Sequence, residues 1–262
     1  DGTVYSWGHN AYGQLGINET NKEEANPYPV KMQKVSNIIQ IVGADENLVM
    51  LDADGSVWSV GYNNYGQAGI GKTGNNYIPQ QMLDENKDVL YGVKEVAAGR
   101  YHTVLIKEDN TVWGVGYNGQ GLLGNGATTS TSIITQVREL VDDEEQMITD
   151  AKHVTAAGDS TFISRQKTSN GENQGMYAIG WNTYGQLFTN DKTTRKYATP
   201  VETDKDILTM ALTRSRYKNK SEYNYQTGAI ADEDGNVYTV GFNENGEMGN
   251  ETLQDLTTPW CI

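Results

Sequence analysis

The sequence is poor in several things that would each have pointed to a function. One cysteine, Cys261, in 262 residues excludes an internal disulfide framework and a zinc site built of thiolates. Three histidines, His9, His102 and His153, are scattered with no helical pairing, so no metalloprotease-type ligand pair exists. Basic residues are outnumbered, 20 Lys and Arg against 34 Asp and Glu. The formal charge of -14 repels polyanions, which argues against nucleic acid and anionic membranes as partners. No run approaches the roughly 18 unbroken apolar residues of a membrane helix, and Asp1 to Tyr5 do not read as a signal peptide. There is no Gly-x-Ser-x-Gly elbow and no glycine loop opening a helix onto a phosphate. The expectation is a protein that is not an enzyme, with no catalytic residues, no metal ligands and no cofactor.

Glycine, by contrast, is plentiful at 29 residues, and it is periodic. Gly8-His9-Asn10-Ala11-Tyr12-Gly13-Gln14-Leu15-Gly16 returns as Gly61 to Gly69, Gly116 to Gly124, Gly180 to Phe188 and Gly241 to Gly249. Five copies, about 50 to 65 residues apart, make this a repeat protein. Before each copy runs a short strand-like segment with an aromatic in register: Tyr5, Trp58, Trp113, Tyr177 and Tyr238. Upstream of four of these segments stand Asp1-Gly2, Asp54-Gly55, Asp109-Asn110 and Asp234-Gly235, pairs suited to tight hairpins. Asn47 to Leu51, His102 to Ile106 and Thr227 to Ala231 read as the partner strands. The strands are apolar on both faces, as in small sheets stacked on each other. All five prolines are expected in the loops after the glycine phrase, where no ladder N–H is needed.

The fold class that follows is all-β: a β-propeller of stacked four-stranded antiparallel blades. The phrase Gly-x-Asn-x-x-Gly-Gln-Leu-Gly, with Ala97-Ala98-Gly99-Arg100-Tyr101-His102-Thr103 one strand earlier, resembles the regulator of chromosome condensation repeat family. The resemblance covers nearly the whole chain and implies a propeller, usually of seven blades. About five repeats are present, so residues 1–262 read as a single propeller domain or a fragment of one. Missing residues or a second chain would then complete the ring, and a five-bladed closure is the remaining alternative. Phe188 stands where the fourth phrase should end in glycine, and that blade is expected to differ locally.

The candidate residues divide into scaffold and surface. Asn10, Asn63, Asn118, Asn182 and Asn243 are read as structural, since Asn beside Gly hydrogen-bonds local backbone. Asp52 to Ser56 and Asp232 to Asn236 echo the start of a calcium loop, but position twelve is Asn63 or Asn243 where that loop needs glutamate. They read as hairpin turns. Asp142 to Glu145 reads as a solvated loop. Arg214, Arg216, Tyr217, Lys218, Lys220, Tyr223 and Tyr225 concentrate cations and tyrosines in an acidic chain, and are the candidate partner-binding set. Family members named by the resemblance include exchange factors, chromatin readers, ubiquitin-ligase modules and β-lactamase inhibitors. The expected function is a non-enzymatic scaffold that binds a protein through its loops. The alternatives are a bacterial cell-surface module binding a glycan or host ligand, and a guanine-nucleotide exchange factor for a small GTPase. Localisation leans to the outside or surface of a bacterium, with the cytoplasm as the alternative.

Overall fold

The computed structural model describes residues 1–171, 175–201, 203, 207–215 and 225–262. Among them are twenty strands and no helix. Two of the hairpins are closed by an aspartate at their entry, Asp52 and Asp232. Asp52 Oδ1 accepts the amides of Asp54 and Ser56, each at 3.0 Å. Its Oδ2 accepts the Ser56 hydroxyl at 2.6 Å and the Trp58 indole N–H at 2.9 Å. Burial alone would raise the Asp52 pKa, but these four donors outweigh it and hold the carboxyl below its usual value. Asp232 repeats the pattern with the amide and side chain of Asn236 and the Tyr238 hydroxyl. Carboxylates occupied in this way by N–H and O–H donors are turn locks, not cation ligands. The aromatic in register on the next strand thus has a polar duty as well as an apolar one.

These hairpins build sheets in which every neighbour in space is a neighbour in sequence. The strands β1 (Tyr5–Asn10) and β2 (Asn21–Lys31) form a two-stranded sheet. A four-stranded sheet follows from β3 (Ile38–Gly43), β4 (Asn47–Asp52), β5 (Val57–Gly61) and β6 (Asn76–Gln81). The next is β7 (Val93–Ala98), β8 (His102–Lys107), β9 (Val112–Gly116) and β10 (Thr131–Gln136). A short ribbon, β11 (Arg138–Val141) with β12 (Glu144–Met147), interrupts the series. Then come β13 (Ala151–Ala157), β14 (Ser160–Arg165), β15 (Met176–Gly180) and β16 (Arg195–Val201). The last sheet is β17 (Ile207–Ser215), β18 (Tyr225–Asp232), β19 (Val237–Gly241) and β20 (Leu256–Cys261).

The chain divides into two compact units. The first comprises Asp1–Asp109, Trp113–Asn118 and Thr129–Thr135, and the second Asn110–Val112, Gly119–Thr128 and Gln136–Ile262. The first unit is held by Val49, Leu51, Val57, Met82, Leu105, Val115 and their neighbours, all buried between sheets. The second is held by Phe162, Met176, Leu187, Phe188, Ile230 and Val240.

The glycine phrase is a fixed backbone form. Its first, sixth and ninth residues lie at positive φ in the copies that carry glycine there, as at Gly61, Gly66 and Gly69 (109°, 83° and 65°). The asparagine at its third position ties the loop from within. Asn63 Oδ1 accepts the Ala68 amide at 2.8 Å, and its Nδ2 donates to the carbonyls of Lys72 and Gly74. Asn182 and Asn243 repeat this with Leu187 and Met248, and Asn10 with Leu15 and Glu19. Asn118 Nδ2 donates to Thr129. All five side chains are buried. Replacing Asn63 with Ala strands the buried Ala68 amide, whereas the Lys72 and Gly74 carbonyls can turn to water. We expect a loss of about 1–2 kcal/mol in urea unfolding, the typical penalty for one orphaned buried group.

Two sequence expectations are corrected here, and a third, at Phe188, is narrowed from the backbone to the side chain. Pro27 and Pro29 lie within β2, Pro79 in β6, Pro200 in β16 and Pro259 in β20, not in loops. Each is in the outermost strand of its sheet, whose outer side has no ladder to complete. Asp142 to Glu145 is not a loop: Glu144 and Glu145 belong to β12, and Asp142 and Asp143 make its turn with φ of 52° and 65°. Finally, Phe188 does not alter its turn. It adopts φ 61°, as Gly16, Gly69, Gly124 and Gly249 do (67°, 65°, 59° and 64°), and its ring is buried.

Candidate functional site

The second and fifth residues of the phrase bring aromatic rings to one end of each sheet. In the first unit they form a continuous band. Tyr12 meets Tyr62 edge to face at 5.2 Å, and Tyr62 meets Tyr65 at 6.3 Å. Tyr65 touches Tyr117 at 5.0 Å, and Tyr101, from the turn before β8, packs on Tyr62 and Tyr65 at 5.6 and 4.9 Å. His9 closes one end against Tyr12. All five tyrosines are half-buried, so each ring is fixed by its neighbours and still has a face to offer. The Arg100 guanidinium lies 4.5 Å above Tyr101 and 3.9 Å from the Asp45 carboxylate. Burial pushes the Tyr62 hydroxyl above its ordinary pKa; a hydrogen bond with Asn64 opposes this, and Tyr65, Tyr101 and Glu46 add to it. Tyr62 is therefore a neutral phenol across the physiological range. The band presents flat rings, hydroxyl groups and one guanidinium.

In the second unit the same positions give a smaller cluster. Trp181 meets Tyr184 at 5.6 Å, and Tyr184 meets Phe242 at 5.3 Å and Tyr225 at 5.6 Å. Tyr225 and Phe242 lie 4.5 Å apart, both buried.

Of the cationic set singled out in the sequence, Arg214 and Tyr225 lie at one end of the β17–β18 pair, where Tyr225 stands opposite Ser215 and Arg214 opposite Gln226. Tyr225 is a core residue of its cluster, whereas Arg214 is partly exposed. Arg216, Tyr217, Lys218, Lys220 and Tyr223 lie outside the described residues. The tyrosine band is not among the sequence-predicted surfaces, because its rings come from different repeats and meet only in the folded chain. Tyr12 and Tyr65 recurring at position five were the available signal.

The β11–β12 ribbon is the other exposed feature. Leu140, Val141 and Met147 are open to solvent. Its root is fastened by Glu145, which accepts from Arg138 at 2.6 Å and from the Tyr197 hydroxyl at 2.7 Å. The Tyr177 hydroxyl donates to Glu139 at 2.9 Å. Burial drives the Tyr177 pKa far upward, so it remains a donor at any ordinary pH.

Comparison with known proteins bears on the whole arrangement. Residues 1–51 and 54–106 match the model described as the regulator of chromosome condensation (RCC1) repeat, and residues 93–122 match a second model with the same description. The chain is 29% identical over 258 residues to the ultraviolet-B receptor UVR8 of Arabidopsis thaliana, covering 98% of this chain and 52% of that protein. It thus spans about half the length of that relative. Among solved structures, human WBSCR16 superposes with a TM-score of 0.76 at 16% identity, over 99% of this chain and 62% of that one. Prp20p of Saccharomyces cerevisiae superposes with a TM-score of 0.73 at 19% identity, over 100% of this chain and 59% of that one. At such identities these two likenesses are of fold alone.

Proposed function

The chain belongs to the regulator of chromosome condensation (RCC1) repeat family of β-propeller proteins, and on that premise we propose that it is a non-enzymatic docking module whose tyrosine band receives a protein partner. The observation that carries this reading is the run of five half-buried tyrosines, Tyr12, Tyr62, Tyr65, Tyr101 and Tyr117, in mutual contact and flanked by Arg100. Tyr and Arg supply most of the energy in protein interfaces. Rings already held by one another lose little freedom on binding, which keeps the entropic cost of association down. Prp20p, of the same fold, is described by its binding to Gsp1p and histones. The net charge of -14 suits a partner with a basic rim around the contact. Glycan and bacterial-surface readings gain nothing from the relatives and are not carried forward.

Arg214, Arg216, Tyr217, Lys218, Lys220 and Tyr223 are proposed as a second contact set, from which the buried Tyr225 drops out, and substitution separates the two surfaces. With a partner in hand, Tyr65→Ala and Tyr101→Ala are each expected to weaken binding at least tenfold by calorimetry, with the melting profile kept. Changing Arg214, Arg216 and Lys218 together to Ser is expected to act mainly on the association rate at low salt. Wild-type affinity in both tyrosine variants would remove the band as the docking surface.

A further inference from the structure

The backbone beneath the tyrosine band is already committed. The Tyr12 and Tyr65 amides donate to the side-chain carbonyls of Gln14 and Gln67, at 3.0 and 3.1 Å. Those of Tyr62 and Tyr117 donate to the backbone carbonyls of Glu46 and Tyr101, at 2.9 and 2.8 Å. None of these four amides is left to pair with an incoming strand, so a partner does not extend a sheet here and must be read by side chains. The rings stand steeply to one another: 86° from Tyr12 to Tyr62, 60° from Tyr62 to Tyr65 and 62° from Tyr65 to Tyr117. Tyr101 leans on Tyr62 and Tyr65 at 42° and 44°. Rings set in this way make ridges with slots between them. A sugar or a base stacks flat on a coplanar platform, and these rings do not form one.

Slots between inclined aromatic rings suit proline. A polyproline II segment is already extended, has no internal hydrogen bonds and leaves every carbonyl open to a donor such as a phenol hydroxyl. Aromatic-lined grooves bind such segments at little ordering cost to either side. The Tyr62 hydroxyl keeps its proton at ordinary pH and so remains a donor. The four rings from Tyr12 to Tyr117 follow one another at 5.0 to 6.3 Å, a run that about five polyproline residues cover at ~3.1 Å each. Charge marks one side of the run. On the β3–β4 turn, Asp45 faces Arg100 at 3.9 Å, and the half-exposed Glu46 is close enough to Tyr62 to raise its pKa.

We propose that the tyrosine band receives a proline-rich segment in the polyproline II conformation, with prolines in the slots between Tyr12, Tyr62, Tyr65 and Tyr117 and a flanking Arg or Lys against Glu46. This rests on the band being the docking surface and adds the class of partner. The net charge of -14 favours the same basic flank, since complementary charge steers the encounter.

The test titrates two synthetic peptides into the whole chain by calorimetry: heptaproline with an arginine at each end, and heptaproline alone. Saturable binding of the arginine-bearing peptide at or below about 1 mM is expected, weakened at least tenfold by Tyr65→Ala and by Tyr101→Ala. Glu46→Gln should weaken it about two- to fivefold at low salt and leave heptaproline unaffected. A random dodecapeptide library, selected on the parent and counter-selected on Tyr65→Ala, separates this inference from the reading beneath it. Band-dependent peptides rich in proline would support it. Band-dependent peptides without proline, with no binding of the arginine-bearing probe, would overturn it and leave the docking surface standing. The absence of both band-dependent peptides and probe binding would overturn the two together. Dimers of the free chain that Tyr65→Ala dissolves would overturn it in favour of a second copy.

Discussion

Unfolding free energy should fall by about 3 kcal/mol between pH 6.5 and pH 4 on account of one residue, His102. Its imidazole is fully buried at the start of β8, and desolvation lowers its pKa from 6.5 to about 4. In the unfolded chain the ring takes a proton near its ordinary value; in the folded chain it refuses one until about pH 4. The unfolded state therefore binds more protons throughout that window, and stability rises with pH across it. The contribution is complete above pH 6.5 and is lost as pH falls toward 4, at about 1.4 kcal/mol per unit. The repeat supplies its own control, because Asn47 and Ser160 occupy the same register opposite Gly61 and Gly180. His102→Asn should fold and flatten the slope of urea-derived stability against pH. A slope equal to that of the parent would mean that His102 titrates normally.

Phe188→Gly should cost about 2–3 kcal/mol even though it installs the residue the turn prefers. Relief of the left-handed backbone is worth roughly 1 kcal/mol, whereas removal of a buried phenylalanine costs about 3–5 kcal/mol. The ring fits because the neighbouring strand gives way. It packs edge-on against Phe162 at 5.7 Å, and Gly228, opposite Val240, leaves the space that Leu48 and Thr161 fill opposite Val60 and Ile179. A Cβ at Gly228 would approach Phe162 and Phe188 to 3.0 Å and the Gln186 carbonyl to 2.6 Å. Gly228→Thr alone should thus destabilise as an overpacked site, by about 1–3 kcal/mol. The double variant should be more stable than the sum of the two losses by about 1 kcal/mol, since each change makes room for the other. Strict additivity in the denaturation curves would show that the two positions are not coupled.

That pair illustrates how much was legible in the sequence. Phe188 was visible as a break in the phrase, but its partner Gly228 lies in another strand and carries no local signal. The phrase itself was legible because positive φ demands glycine and an aspartate beside it closes a hairpin, as at Asp52 and Gly55. The strand before each phrase followed from this, and with it β4, β8 and β18 as partners, but not β14. The first strands did not: β7 (Val93–Ala98) and β13 (Ala151–Ala157) mix apolar, small and charged residues and are fixed by packing between sheets. Prolines were assigned to loops on a sound premise, the missing N–H, that an outermost strand satisfies equally well. The tyrosine band is the least legible feature, since Tyr101 joins Tyr62 and Tyr65 only through the stacking of two sheets.

The strict succession of strands within every sheet has a consequence for how the molecule comes into being. No strand waits for a distant partner: β3 to β6, β13 to β16 and β17 to β20 each close from one stretch of chain, through turns that aspartate and glycine preset. Such an order keeps loop-closure entropy small for an all-β protein, whose folding is otherwise slowed by remote pairings. Each sheet can form as it leaves the ribosome and serve as the template on which the following one condenses.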